Sequence, residues 1–224
     1  MYTFKKVILI VYMLVSIQVK AQNNAIKIYT NFNITIDKLY NQTNTTSSFG
    51  RFSPSFSKNT RNGNFHELEL SSFIINRYKY ETDSSSNIQL INGGRYNLQN
   101  IGLKYEFSFR LLKNSTSRLQ PYIGTSANVT FLRYANIPIL STVYYHSSIS
   151  ISTSFFITPR LIYNINDNCF FDLNIPFNIT RIGLERYKYL NPTIPIENQI
   201  YYSQRFELFP KQFEFKFGFG YRFN

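Results

Sequence analysis

Apolar and polar residues alternate along several long segments, and a period of two is the signature of a β-strand with one face buried in apolar surroundings. From position 103 the odd residues are Leu103, Tyr105, Phe107, Phe109 and Leu111, and the even ones Lys104, Glu106, Ser108 and Arg110. After Ser147, the residues Ile149, Ile151, Phe155, Ile157 and Leu161 alternate with Ser148, Ser150, Ser152, Ser154 and Arg160. Phe171, Leu173, Ile175, Phe177 and Ile179 stand against Asp172, Asn174, Asn178 and Thr180. At the end of the chain Phe213, Phe215, Phe217, Phe219, Tyr221 and Phe223 stand against Glu214, Lys216, Gly218, Gly220 and Arg222. With weaker alternation elsewhere, the pattern predicts eight strands near 26–38, 49–58, 65–80, 97–112, 119–134, 147–163, 169–186 and 204–223.

The connections alternate in length. Asn59–Asn64, Lys113–Arg118 and Asn164–Asn168 are short and rich in turn formers, whereas 39–48, 81–96, 135–146 and 187–203 are longer and polar. Short turns at one end and longer loops at the other are what an up-and-down barrel with both termini on the inner side requires. A soluble β-sandwich also alternates. Strands of about 12–17 residues exceed the five or six usual in soluble sheets and suit a tilted membrane crossing. Tyrosines gather near strand ends, as Tyr78 and Tyr80, Tyr144 and Tyr145, Tyr187 and Tyr189, and Tyr201 and Tyr202, where an interfacial girdle belongs. The expected fold is therefore all-β: one transmembrane antiparallel up-and-down barrel of about eight strands.

Composition supports the membrane over the sandwich. Charged residues make up 16% of the chain and aromatics 18%, with 22 Phe and 18 Tyr. The mildly polar mean hydropathy is unsuited to a helical membrane protein but ordinary for a barrel, whose lumen takes every second residue. Lys5 and Lys6, the apolar run Val7 to Ile17 and the Val19-Lys20-Ala21 site read as a signal peptide over 1–21, cleaved to leave Gln22. Removing Lys5, Lys6 and Lys20 takes the formal charge from +12 to about +9. Cys169 is the single cysteine, so no internal disulfide is expected. Residues 22–224 are left as the barrel.

The terminal run Lys216-Phe217-Gly218-Phe219-Gly220-Tyr221-Arg222-Phe223 carries the most specific pattern. It resembles the C-terminal signal read by the outer-membrane barrel assembly machinery, with Lys216, Gly218, Tyr221 and Phe223 at the matching places and Asn224 as a departure. An amphipathic edge strand of this kind can add to another sheet edge during insertion. With Gln120-Pro121-Tyr122-Ile123-Gly124 opening the fifth strand, the chain resembles the small outer-membrane β-barrel families, such as the outer membrane protein X type. The resemblance implies location in the bacterial outer membrane and contact with its lipids and lipopolysaccharide. It implies no catalytic site.

An eight-stranded barrel is just wide enough to be filled by side chains. Strand parity sends Glu67, Glu69, Lys104, Glu106, Arg110, Arg160, Asp172, Glu214, Lys216 and Arg222 into the lumen. Opposed charges are tolerable there and lone ones costly, so pairs are expected, Arg160 with Asp172 and Glu67 with Arg110. The resulting expectation is a salt-bridged plug in a structural or surface-interaction protein. A narrow channel for water or small solutes is the alternative, because Ser148, Ser150, Ser152 and Ser154 lie beside Ser126, Asn128 and Thr130 as a wall of small polar groups. An accessory barrel of a secretion or envelope-assembly system is a second alternative.

Enzymatic patterns are weak. His146, Ser148 and Glu185 faintly resemble the residue set of outer-membrane lipid A deacylases, but the parity of His146 and Ser148 is lumenal and Ile149 stands near the position expected to hold Asn. His66 alternates to the face opposite Glu67 and Glu69, which argues against metal. Asn33-Ile34-Thr35 and Asn178-Ile179-Thr180 fall inside strands and arise by chance in an Asn-rich chain. The scattered basic residues suit anionic lipids better than nucleic acid. No enzyme activity, metal or cofactor is expected, and the loops 81–96 and 187–203 are the candidate surfaces for an extracellular partner.

Overall fold

The computed structural model describes residues 24–39, 42–80, 94–112, 117–138, 145–210 and 212–223. Ten strands form the staves of one antiparallel barrel: β1 (Asn24–Leu39), β2 (Gln42–Asn59), β3 (Phe65–Tyr80), β4 (Gly94–Arg110), β5 (Leu119–Pro138), β6 (His146–Asn164), β7 (Cys169–Asn174), β8 (Phe177–Tyr189), β9 (Ile200–Leu208) and β10 (Gln212–Phe223). Consecutive staves are hydrogen-bonded, and β1 closes the sheet on β10 from Asn24↔Phe223 to Thr35↔Gln212. β7 with β8 is one stave and β9 with β10 another, so the barrel has the eight staves that the alternation predicts.

Proline breaks the two divided staves at neighbouring places. Pro176 has no N–H for the ladder, and the preceding Ile175 N–H turns to the Pro159 carbonyl at 3.1 Å. Beside it, Phe209 takes a left-handed φ of 49° before Pro210 and donates its N–H to Ile179 at 2.8 Å. The ladder is Phe213↔Phe177 on one side of the break and Leu208↔Thr180 on the other.

Three further irregularities shift the register by one residue, at Gly50 in β2, Ser71 in β3 and Ile179 in β8. An extra residue exchanges the inward and outward faces beyond it. In β3 the lumenal residues are Glu67 and Glu69 below Ser71, while Phe73 and Ile75, also odd, face outward above it. In β8, Asn178 is buried, whereas Ile182 and Leu184, also even, are exposed. The β2–β3 ladder is short, from Asn59↔Phe65 to Ser55↔Glu69, and stops next to Pro54, which offers no donor.

The turns at 60–64 and 165–168 and the adjoining strand ends Arg110 and Leu119 share one end with Asn24 and Phe223, here the turn end; the opposite end carries the loop 190–199. One expected loop is corrected: within 39–48, residues 42–48 belong to β2, which pairs with β1 as far as Leu39↔Gln42. The Thr- and Ser-rich run Thr43 to Ser48 lacks apolar alternation yet suits strand through its β-branched residues. The expected loop 187–203 narrows to 190–199, with a short 3-10 turn at Ile196–Asn198. The expected signal peptide and most of the loop 81–96 lie outside the described residues.

The outer surface is apolar over its middle. Leu103, Tyr105, Phe109, Val129, Ile151, Phe155, Phe217 and Phe219 are all exposed. A continuous apolar belt of this extent is a lipid-facing surface. Among the described residues no helix is long and apolar enough to cross a membrane; the crossing is made by strands. The buried residues are mostly polar and point into the lumen.

Candidate functional site

The lumen holds the distinctive chemistry. β1 directs Lys27 and Tyr29 inward, β3 Glu67 and Glu69, β4 Lys104 and Glu106, β6 Arg160, β7 Asp172 and β10 Lys216, each because its strand neighbours are lipid-facing. These nine side chains are all at most 3% to 4% exposed, so their charges meet one another rather than water.

Arg160 is the hub. Its guanidinium contacts three carboxylates: Glu67 at 2.8 Å, Glu106 at 3.0 Å and Asp172 at 3.5 Å. Lys27 bridges Glu67 at 2.6 Å and Asp172 at 2.8 Å, and the Tyr29 hydroxyl reaches the same two carboxylates at 3.1 and 2.8 Å. Lys104 pairs with Glu106 at 3.0 Å, and the Ser108 hydroxyl donates to that carboxylate at 2.8 Å. Lys216 joins Glu69 at 2.7 Å and Glu214 at 3.3 Å. Arg160–Glu67 and Lys216–Glu69 reach across the lumen to β3, Arg160–Asp172 joins neighbouring staves, and Lys104–Glu106 and Lys216–Glu214 stay within one strand; all are charge-assisted contacts.

Eight of the residues that parity sends inward, Glu67, Glu69, Lys104, Glu106, Arg160, Asp172, Glu214 and Lys216, take part in these ion pairs. Arg110 and Arg222 lie nearer the turn end, around a separate cavity. Arg160 does reach Asp172, although its register partner is Asn174. The expected pairing of Glu67 with Arg110 is corrected: Glu67 is held by Lys27 and Arg160, and it stands in register with Glu106. Counting along one hairpin overlooks partners from across the barrel. Lys27 and Tyr29 are further lumenal members, which the parity of the lipid-facing Ile26 and Ile28 places inside.

The network separates two cavities. Towards the loops, a cavity of about 650 Å³ is lined by Asn128, Thr130, Ser150, Ser152 and Ser154, with Arg181, Glu185 and Arg205 higher up. Towards the turns, one of about 170 Å³ lies under Lys27 and among Phe65, Tyr122 and Phe170. Two glycines make room for aromatic rings in the lumen. A Cβ at Gly218 would meet the Tyr29 ring, and one at Gly220 the Phe170 ring. Two members of the terminal motif thus have packing roles of their own: Gly218 accommodates Tyr29, and Lys216 belongs to the ion network.

The remaining candidates are dispersed. Ser148 stands opposite Tyr187 and Ser150 opposite Glu185, while the His146 ring packs on Tyr134 at 5.2 Å. His66 points outward and shares a 2.7 Å hydrogen bond with the Tyr105 hydroxyl, on the face opposite Glu67 and Glu69. Among the described residues no group of His, Cys, Asp and Glu could hold a metal ion.

No family model matches the chain, and no curated protein matches it in sequence. Its fold is that of solved outer-membrane barrels. The outer membrane protein OprG from Pseudomonas aeruginosa is similar with a TM-score of 0.53 and 13% identity, over 93% of this chain and 100% of that one. Neisserial surface protein A aligns at 14% identity over 92% and 100% of the two chains, with a TM-score of 0.38. Ail, the attachment invasion locus protein of Yersinia pestis, aligns at 12% over 90% and 99%, also with a TM-score of 0.38. Sharing OprG's fold and carrying its own lipid-facing belt, the chain is an outer-membrane β-barrel.

Proposed function

We propose that the protein is a plugged barrel with a structural or surface-interaction role in the outer membrane. The observation that carries this reading is the Arg160-centred ion network, which spans the lumen between the two cavities. Three buried cations and three buried carboxylates satisfy one another there, with the Lys216–Glu69 pair beside them, so the interior is a cross-brace, and a macromolecular partner is met outside it. The surroundings supply that partner: membrane lipids and lipopolysaccharide along the aromatic belt, and an extracellular partner at the loop end. The terminal strand, with Lys216, Gly218, Tyr221 and Phe223, acts as the signal for the barrel assembly machinery.

The test is retention of small solutes by vesicles. Liposomes carrying the refolded barrel should hold an entrapped sugar as well as empty ones do. Release through wild-type barrel of verified fold would favour the narrow channel, a reading supported by the polar cavities on both sides of the network.

A further inference from the structure

The cavity at the turn end differs in charge from the network above it. Arg110 and Arg222 line it, Lys27 forms its roof, and no Asp or Glu is among its lining residues. Lys27 is already engaged by Glu67 and Asp172. The Arg222 guanidinium lies 4.3 Å over the Phe170 ring and is held by the Asn164 amide oxygen at 2.7 Å and the Asp167 backbone carbonyl at 3.3 Å. Both acceptors are neutral and orient the cation; the Asp167 carboxylate, exposed on the turn, attracts it from outside the cavity. Arg110 stands in register with Tyr122, and its side chain covers Gly63 in the neighbouring turn. The exposed Arg61 and Arg118 sit on the turns nearby, so the positive field extends to the mouth.

We propose that this cavity binds a small oxyanion, a phosphate or carboxylate group, between the Arg110 and Arg222 side chains. Planar guanidinium forks match both groups. The Phe65, Tyr122 and Phe170 rings keep bulk water from one side, which strengthens the attraction. A volume of about 170 Å³ accommodates one phosphate with a few waters and excludes a larger solute. The Gln120 and Asn59 amides add neutral donors. The anion arrives either as a soluble ion or as the headgroup of an acidic lipid in the adjacent leaflet.

The probe is inorganic phosphate, titrated calorimetrically into the full refolded barrel in a maltoside detergent free of phosphate. Wild type should give saturable binding at one site, which acetate displaces. Arg110→Gln and Arg222→Gln should each weaken it by about tenfold or more, the loss expected for a charge-assisted contact; Arg205→Gln at the loop end should leave it unchanged. Repeating the titration in nanodiscs separates the sources. Binding in phosphatidylcholine that vanishes when phosphatidylglycerol is added means that the lipid headgroup takes the site. Equal binding in both means a soluble anion. Absence of saturable phosphate binding to folded wild type overturns the proposal whatever the variants do, as does equal affinity in folded Gln variants.

Discussion

Arg160 and Glu67 lie 93 positions apart in the chain and meet across the lumen, with Arg160 Nη1 2.8 Å from Glu67 Oε2. One comes from β6 and the other from β3, so the contact forms only when the barrel has closed. Each also serves other partners: Arg160 holds Glu106 and Asp172, and Glu67 holds Lys27. Removing Arg160 therefore leaves three carboxylates short of a cation. Arg160→Met should cost about 3–5 kcal/mol in urea unfolding from vesicles, the range for breaking a buried pair from one side. Combining it with Glu67→Met should cost clearly less than the sum of the single changes, since the two belong to one network. Additive losses would show that the contact contributes nothing as a unit.

The glycines of β10 offer a steric test. A side chain at Gly220 would occupy the place of the Phe170 ring. Gly220→Val should destabilise the barrel by about 1–3 kcal/mol through overpacking, and adding Phe170→Ala should recover part of that loss. If the second change deepens the defect, the ring is not what Gly220 accommodates.

How much of this was legible in the sequence depended on how well each strand alternated. β4 and β10 carry uninterrupted apolar faces, and parity alone put Glu106 and Lys216 in the lumen. The bulges at Ser71 and Ile179 exchange faces without any local mark stronger than the apolar residues changing from even to odd positions or back. The break at Pro176 is hidden because the alternation continues through it from Leu173 to Phe177, whereas at Pro210 the apolar residues change from even positions, Phe206 and Leu208, to odd ones, Phe215 and Phe217. Side-chain partners were the least legible part. Glu67 is held by Lys27 from β1 and Arg160 from β6, and no count along a single hairpin brings those three together.

The lipid-facing belt predicts a strong asymmetry between adjacent residues of β5. Val129 is exposed on the outer surface, and Thr130 lines the loop-end cavity. Val129→Arg should cost about 2–4 kcal/mol near the bilayer midplane, whereas Thr130→Asn should change stability by no more than about 0.5 kcal/mol. Equal effects, read from urea titrations in vesicles, would place the membrane elsewhere on the molecule.

The loop 190–199 is held by local contacts: the Gln199 side-chain amide donates to the Asn191 and Ile194 carbonyls at 2.9 and 3.0 Å. Replacing it with a short Gly-Ser turn should leave the barrel folded, as judged by heat-modifiable gel mobility. Failure to fold would make the segment part of the barrel's structure, and therefore not available as an independent recognition surface.

The central claim is that the ion network closes the lumen, and single-channel recording in a planar bilayer tests it most directly. Refolded wild-type barrel, verified by heat-modifiable mobility, should insert without conducting. Steady current steps that scale with salt concentration would contradict the plug and establish a pore through the network.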